Sequence, residues 1–233
     1  MRAQLAAAVV AASVATAAPA HAGPKVHQLV VFKNGAGSQS HVTASQVKVK
    51  VGKKRCAVGA GTALAALVKS RIGAIELHDY GSCSSKPSDA AGLYVKRIRK
   101  DSAKGLNGWV YKVGNKVATA GAADPTGPFG SGRLKSGARV TWFYCHMGSA
   151  GCQRTLAAKA EALGGGQVRV TVRAYNDRGK SRAAAGAIVH VRSATAKADS
   201  HGVATLTTSP GAANVYAQEK GLVRSYTERI DIT

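Results

Sequence analysis

Residues 108–119, Gly-Trp-Val-Tyr-Lys-Val-Gly-Asn-Lys-Val-Ala-Thr, contain the clearest local folding signal in the chain. The composition predicts a strand over Gly108 to Val113 and a second over Lys116 to Thr119. Between them, Gly114-Asn115 is typical of a tight hairpin turn. Trp109 and Tyr111 share one face of their strand, because alternate side chains of a strand point the same way.

Further strands are expected on both sides of this hairpin, together with one helix. The helix covers Gly61 to Lys69, where Thr62 can cap and the apolar residues share one helical face. The strands, in chain order, are Val26 to Phe32, Val42 to Val51, Leu93 to Ile98 and Arg139 to Cys145. Strands around a single helix predict an α+β domain over residues 23–155.

The remaining chain has a different pattern. Leu156 to Leu163 is Ala-rich and predicts a helical turn or two, and three glycines follow it, so residues 156–166 are expected to be an Ala/Gly-rich linker. After it come short strands separated by turns: Val168 to Tyr175, Ala187 to Val191, Val203 to Thr208, Asn214 to Gln218 and Arg224 to Ile232. They predict a small all-β sandwich over residues 167–233.

The N-terminus has the three parts of a cleavable signal peptide. Arg2 is followed by an apolar run from Leu5 to about Ala18, and Ala20-His21-Ala22 precedes Gly23. The run is shorter than the roughly 20 residues a spanning helix needs, and no second such segment follows. We therefore expect residues 1–22 to be removed between Ala22 and Gly23, no transmembrane segment, and a secreted, extracellular or cell-wall location.

Four cysteines in an exported chain favour two disulfides over metal ligands. Cys145 and Cys152 enclose six residues that include two glycines, so the loop can turn back and bring the two thiols together. Cys56 and Cys83 then pair by elimination, although three connectivities are formally open. The sequence contains no tighter arrangement of Cys and His of the kind that binds zinc, so no metal site is expected.

The chain is strongly basic. Without Arg2, 32 of the 33 Lys and Arg residues remain against 11 Asp and Glu, which leaves a net charge of +21. Such a charge favours polyanionic surroundings through attraction that salt weakens. Anionic wall polymers are therefore possible partners, whereas scattered basic residues without a long block predict no specific nucleic-acid recognition. The alternative interpretation is that the charge only promotes solubility.

No arrangement of residues typical of an enzyme is present. The sequence lacks an H-E-x-x-H helix, a G-x-S-x-G elbow and a phosphate-binding loop. Glu76 and Asp79 are the closest pair of carboxylates, and two such acids beside basic residues are more typical of surface ion pairs. We expect a non-catalytic protein.

The aromatic residues are the best candidates for ligand binding. Trp142 and Tyr144 share a strand face as Trp109 and Tyr111 do, and core packing is the interpretation we favour for all four. The alternative is a stacking surface for a flat or sugar-like ligand, covered by the long loop over residues 120–132. Asp124 and Phe129 are the candidate ligand residues of that loop.

Residues 43–146 resemble the transcobalamin-like C-terminal domain family. The resemblance rests on Gly61-Thr62-Ala63-Leu64, Gly92-Leu93-Tyr94-Val95, Gly108-Trp109-Val110-Tyr111 and Val140-Thr141-Trp142-Phe143-Tyr144. Ala123 to Gly130 and Cys152 to Leu156 resemble an exported actinobacterial branch of that family. The family implies a β-grasp-like fold with one helix across a mixed sheet. Its eukaryotic relatives form part of cobalamin carriers, which implies a cobalamin-like ligand; no other cofactor is expected.

The C-terminal segment is similar to Ig-like or prealbumin-like modules, at Gly186-Ala187-Ile188-Val189, Asp199 to Leu206 and Val215-Tyr216-Ala217. Such modules are usually spacers or adhesion units. We therefore expect an exported cell-envelope or secreted protein in which one domain binds a polymer or an unidentified small ligand. The alternative is a carrier of a corrinoid or another small ligand.

Overall fold

The structure, a computed structural model, describes residues 22–233. The expected signal peptide lies outside these residues except for Ala22, so cleavage before Gly23 stays a prediction. The elements are β1 (Lys25–Val31), β2 (Gly37–Thr43), β3 (Val47–Val51), β4 (Lys54–Val58), α1 (Ala63–Lys69), β5 (Ile75–Asp79), a 3-10 turn (Pro87–Ala90), β6 (Leu93–Ile98), β7 (Asp101–Ser102), β8 (Gly108–Val113), β9 (Lys116–Val117), β10 (Arg139–Cys145), β11 (Thr155–Gly164), β12 (Gln167–Tyr175), β13 (Ser181–Ala183), β14 (Ile188–Val191), β15 (Ala194–Lys197), β16 (Val203–Thr207), β17 (Gly211–Gln218) and β18 (Glu228–Ile232).

The protein is all-β: about 50% of it is strand and about 5% is helix. The α+β, β-grasp-like class expected for residues 23–155 is therefore wrong. The reason is the size of α1, which has seven residues, or about two turns. Thr62 caps the helix as predicted. Because the helix is so short, it occupies only a small part of the core, and the packing layers of the fold are formed by the sheets.

Residues 25–145 form three sheets. The largest has five strands in the order β2-β1-β10-β8-β9, with β1 and β10 parallel and the other neighbours antiparallel. β3-β4 and β5-β6-β7 are separate small sheets. Every residue of the central strand β10 from Val140 to Cys145 is buried, so this sheet is covered on both faces.

The predicted hairpin around Gly114 is confirmed, because β8 and β9 pair across it and Gly114 has a φ of 59°. The single strand predicted over Val42 to Val51 is instead two strands. At Ala44 the chain leaves the large sheet: its N–H donates to the carbonyl of Pro24 (2.9 Å), and its carbonyl accepts from Gly61 N–H (2.6 Å).

The helical turn expected over Leu156 to Leu163 is also wrong, since this segment is part of β11. β11 pairs with β12 from Thr155 to Gly164, and the glycines, all with positive φ, turn the chain between the two strands. The Ala-rich composition favours a helix only weakly, and an adjacent strand that satisfies the backbone overrides it. The segment expected to be a linker is therefore strand and turn.

Residues 155–232 form two four-stranded sheets, β11-β12-β13 with β16 beside β12, and β15-β14-β17-β18. Their inner faces share one apolar core, which includes Val168, Val170, Val189 and Val215.

Both predicted disulfides, Cys56–Cys83 and Cys145–Cys152, are confirmed. No helix within residues 22–233 has the length and apolar character needed to cross a membrane.

A third apolar cluster joins the two parts of the chain. Leu29, Val31 and Phe143, on the second face of the large sheet, pack with Val223 and Tyr226. The Tyr226 hydroxyl donates to the carbonyl of Val140 (2.8 Å), and burial raises the pKa of this phenol to about 12.

Lys112 lies fully buried on the same face. Its Nζ is 3.4 Å from Oδ1 of Asp177 and 3.2 Å from the carbonyl of Tyr175. Burial lowers the pKa of this lysine, and the Asp177 carboxylate opposes that shift. The second oxygen of Asp177 accepts the N–H of Cys152 (3.1 Å), so one carboxylate ties β8, the Cys145–Cys152 loop and the β12–β13 turn together.

We expect Asp177→Ala to lower the free energy of unfolding by about 3 kcal/mol, because it leaves the buried Lys112 ammonium unpaired. The double variant Lys112→Met/Asp177→Asn removes both charges, so it should recover most of the loss. Urea unfolding followed by tryptophan fluorescence measures both. Equal stability of Asp177→Ala and the wild type would contradict this assignment.

Acid should also lower the stability of the fold. Burial, helped by His41 and Arg139, lowers the pKa of His27 from its ordinary value of 6.5, and burial with Arg224 lowers that of His190. The unfolded chain binds these protons more readily, so the stability present above pH 6.5 is lost as the pH falls below it.

Urea midpoints at pH 7.5 and pH 5 check this expectation. His27→Gln/His190→Gln should show a smaller drop between the two pH values than the wild type. Replacement of the exposed His201, in the turn held by Asp199, is the matched control. An unchanged drop in the double variant would rule out these two histidines as its source.

Candidate functional site

The four aromatic residues predicted as ligand candidates come together in the core. Trp109 lies directly opposite Tyr144, and Tyr111 directly opposite Trp142, across β8 and β10. Their rings are 5.9 Å and 5.1 Å apart, in edge-to-face and stacked arrangements respectively. None is more than 7% exposed. This geometry matches the core interpretation and offers no open stacking surface.

The loop over residues 120–132 covers this cluster. Tyr111 donates its hydroxyl to the carbonyl of Ala120 (2.9 Å), and burial raises the pKa of that phenol. Asp124 accepts from the N–H and the hydroxyl of Thr126 (2.8 and 2.5 Å), so its carboxylate shapes the loop. Phe129 is 39% exposed on the loop. The cavity between loop and strands has a volume of about 190 Å³.

The surface that stands out is the hairpin formed by β3 and β4. Val51 pairs with Lys54, so Gly52 and Lys53 form a two-residue turn, in which Gly52 has a φ of 59°. Val49 and Val51 point into the core, so the alternation of the strand directs Lys48 and Lys50 to solvent. We call the five cations Lys48, Lys50, Lys53, Lys54 and Arg55 the basic hairpin.

Charge on the basic hairpin is poorly compensated. Lys50 lies directly opposite Arg55, and like charges in that position destabilise a strand pair. Lys54 is 3.8 Å from Asp79, whereas no ion pair within residues 22–233 involves the other four cations. An unfavourable arrangement of this kind is relieved when a polyanion binds.

The backbone of the basic hairpin is anchored next to Arg55. Cys56, which follows Arg55 in β4, is bridged to Cys83, and Asp79 accepts the N–H of Cys83 (3.0 Å). The nearby Glu76 is occupied by Lys96 and Arg97, whose hydrogen bonds lower the pKa of its carboxyl. These contacts hold the backbone that carries the cations, which reduces the backbone entropy lost on binding.

Sequence reasoning did not identify this site, although its signals were present. Alternating lysines at 48 and 50 and the run Lys53-Lys54-Arg55 are visible in the sequence. Their convergence depends on the turn at Gly52, which places Lys50 and Arg55 side by side.

We expect Trp142→Ala to cost about 3–5 kcal/mol of stability, the usual range for a buried large aromatic residue. Phe129→Ala, on the loop, should cost less than about 1 kcal/mol because its side chain is partly exposed. Urea unfolding compares the two. If the two variants lost similar stability, the assignment of Trp142 to the core would be wrong.

Comparison of the chain with models of protein families, with curated proteins and with solved structures gives no match. The resemblance to the transcobalamin-like C-terminal domain family therefore stays a prediction.

Proposed function

We propose that this chain is an exported, non-catalytic protein of the cell envelope or the extracellular space that binds an anionic polymer through the basic hairpin. The C-terminal β-sheets act as a spacer or adhesion unit. The observation that carries the proposal is the position of Lys50 directly opposite Arg55, between Lys48 and Lys53, with no carboxylate partner among residues 22–233.

The geometry favours an extended polyanion over a single small anion. Lys48 and Lys50 are two residues apart on one strand face, a separation of about 7 Å. Single exposed ion pairs contribute little, about 0–1 kcal/mol each, so useful affinity requires several contacts at once. A polymer that carries repeated phosphates or carboxylates provides such contacts, and anionic wall polymers belong to this class.

Two observations support an extracellular setting. All four cysteines are paired, and such disulfides persist in oxidising compartments. The high positive charge also suits an environment rich in anionic polymers.

The corrinoid-carrier alternative gains no such support. The cavity beside Trp109 and Trp142 has a volume of about 190 Å³, which is below the usual range of about 300–1,000 Å³ for small-molecule sites.

The test uses the purified oxidised protein and long-chain inorganic polyphosphate as the probe. Lys48→Ala/Lys50→Ala/Arg55→Ala should weaken polyphosphate binding by about tenfold or more. In a plot of the logarithm of the association constant against the logarithm of the salt concentration, the magnitude of the slope should fall by up to about three. The control variant Lys159→Ala/Lys197→Ala/Arg229→Ala removes the same charge from exposed residues of the C-terminal part. We expect it to bind nearly as the wild type does.

If the two triple variants bound polyphosphate equally weakly, the overall charge and not the basic hairpin would account for binding, which would overturn the proposal. Absence of binding at 50 mM salt would overturn it as well. Single-stranded DNA serves as a second probe: if it bound much more tightly than polyphosphate, nucleic acid would replace wall polymers as the ligand.

A further inference from the structure

A cleft between the two parts of the chain is separate from the basic hairpin. Its volume is about 710 Å³, within the usual range of about 300–1,000 Å³ for small-molecule sites. One wall is the β1–β2 turn, residues 32–36, and the other is the segment that follows β17, residues 218–224.

Both walls are held by hydrogen bonds of their own. In the first, Phe32 N–H donates to the carbonyl of Ala36 (2.8 Å), and Lys33 N–H donates to Oδ2 of Asp101 (2.9 Å). In the second, Leu222 N–H donates to the carbonyl of Glu219 (3.1 Å). The cleft is therefore formed before a ligand enters it.

The floor of the cleft is apolar. Its accessible apolar surface comes from Phe32, Ile188 and Leu222, which are half-buried. The fully buried Val31, Phe143 and Val223, from the cluster that joins the two parts of the chain, also belong to its lining. Tyr144, one of the predicted ligand residues, belongs to the lining but is only 4% exposed, so the accessible ring is that of the exposed His146, 5.2 Å from the tyrosine ring. Apolar and ring surfaces of this size suit the C–H face of a sugar ring.

Two lysines and a glutamate also line the cleft. Lys33 and Lys220 take part in no ion pair within the described residues, and the Lys33 Nζ lies 5.4 Å from the centre of the Tyr144 ring. Glu219 also lines the cleft, and its Oε2 has no hydrogen-bond partner among residues 22–233.

Arg224, in contrast, is already occupied. Its guanidinium donates to Thr227 Oγ1 (2.9 Å) and stacks on the Tyr216 ring (4.1 Å). It therefore supports the wall and adds positive charge, while the two lysines remain free to bind an anion.

We propose that this cleft binds one hexose-sized sugar unit that carries a carboxylate or a phosphate. The anionic group lies between Lys33 and Lys220, a sugar hydroxyl donates to Glu219, and the ring lies over the apolar floor. The site goes beyond polymer binding by the basic hairpin, since it needs neither that surface nor a polymer.

The experiment is a calorimetric titration of the oxidised protein with glucuronic acid, with glucose 6-phosphate and with neutral glucose. We expect saturable binding of one or both acidic sugars, and the tighter of the two identifies the anionic group. Lys33→Ala/Lys220→Ala should weaken that binding by about tenfold or more. Glu219→Gln, which keeps the shape of the side chain and an acceptor oxygen, should weaken it less because it replaces one hydrogen bond to a charged acceptor with a neutral one.

The matched control is Lys48→Ala/Lys50→Ala, which removes two lysines from the basic hairpin and should leave sugar binding unchanged. A defect in polyphosphate binding by this control, with normal sugar binding, separates the two sites. Absence of saturation at roughly 10 mM sugar, corresponding to a Kd weaker than the millimolar range, would overturn the proposal. Equal affinity for glucose, or unchanged affinity of Lys33→Ala/Lys220→Ala, would also overturn it.

Discussion

The central strand β10 has to be covered on both faces, and most of the architecture follows from this requirement. Its residues from Val140 to Cys145 are buried without alternation, so neither face can meet water. On the first face, Trp142 and Tyr144 belong to the apolar cluster that includes α1. On the second face, Phe143 packs with Val223 and Tyr226 from the segment between β17 and β18, so a third apolar cluster joins the two parts of the chain. Lys112 lies on the same face, and Asp177 supplies the charge that its burial requires.

The distribution of charge follows from how the few carboxylates are used. Asp79, Asp101 and Asp124 accept backbone N–H groups in turns, and Asp177 compensates a buried lysine. Because these carboxylates are bound within the protein, they do not neutralise the exposed cations. Part of the excess lies at the basic hairpin, and part lies beside the cleft at Lys33 and Lys220. Both proposed sites therefore have the same origin, although one suits an extended polymer and the other a single sugar unit.

The two sites differ in how far local sequence could reveal them. The basic hairpin lies within residues 48–55, and its alternation and turn are local signals. The cleft joins residues 32–36 to residues 218–224, so no local pattern could identify it. For the aromatic residues of β8 and β10, the alternation of the strands correctly predicts which rings share a face. The same alternation cannot show whether that face is buried or exposed. That difference depends on what the rest of the chain packs against the sheet.

Local signals in the sequence were sufficient for the features whose physics is local. These are the hairpin at Gly114, the cap of α1 at Thr62, the strands β6, β8 and β10, and the closure of the short Cys145–Cys152 loop. The chain's composition also accounts for its positive charge. The fold class, the strand over Leu156 to Leu163 and the cleft were settled by long-range packing. A ten-residue pairing with β12 satisfies more backbone groups than a short Ala-rich helix can, and a seven-residue helix cannot cover a sheet that other strands already enclose.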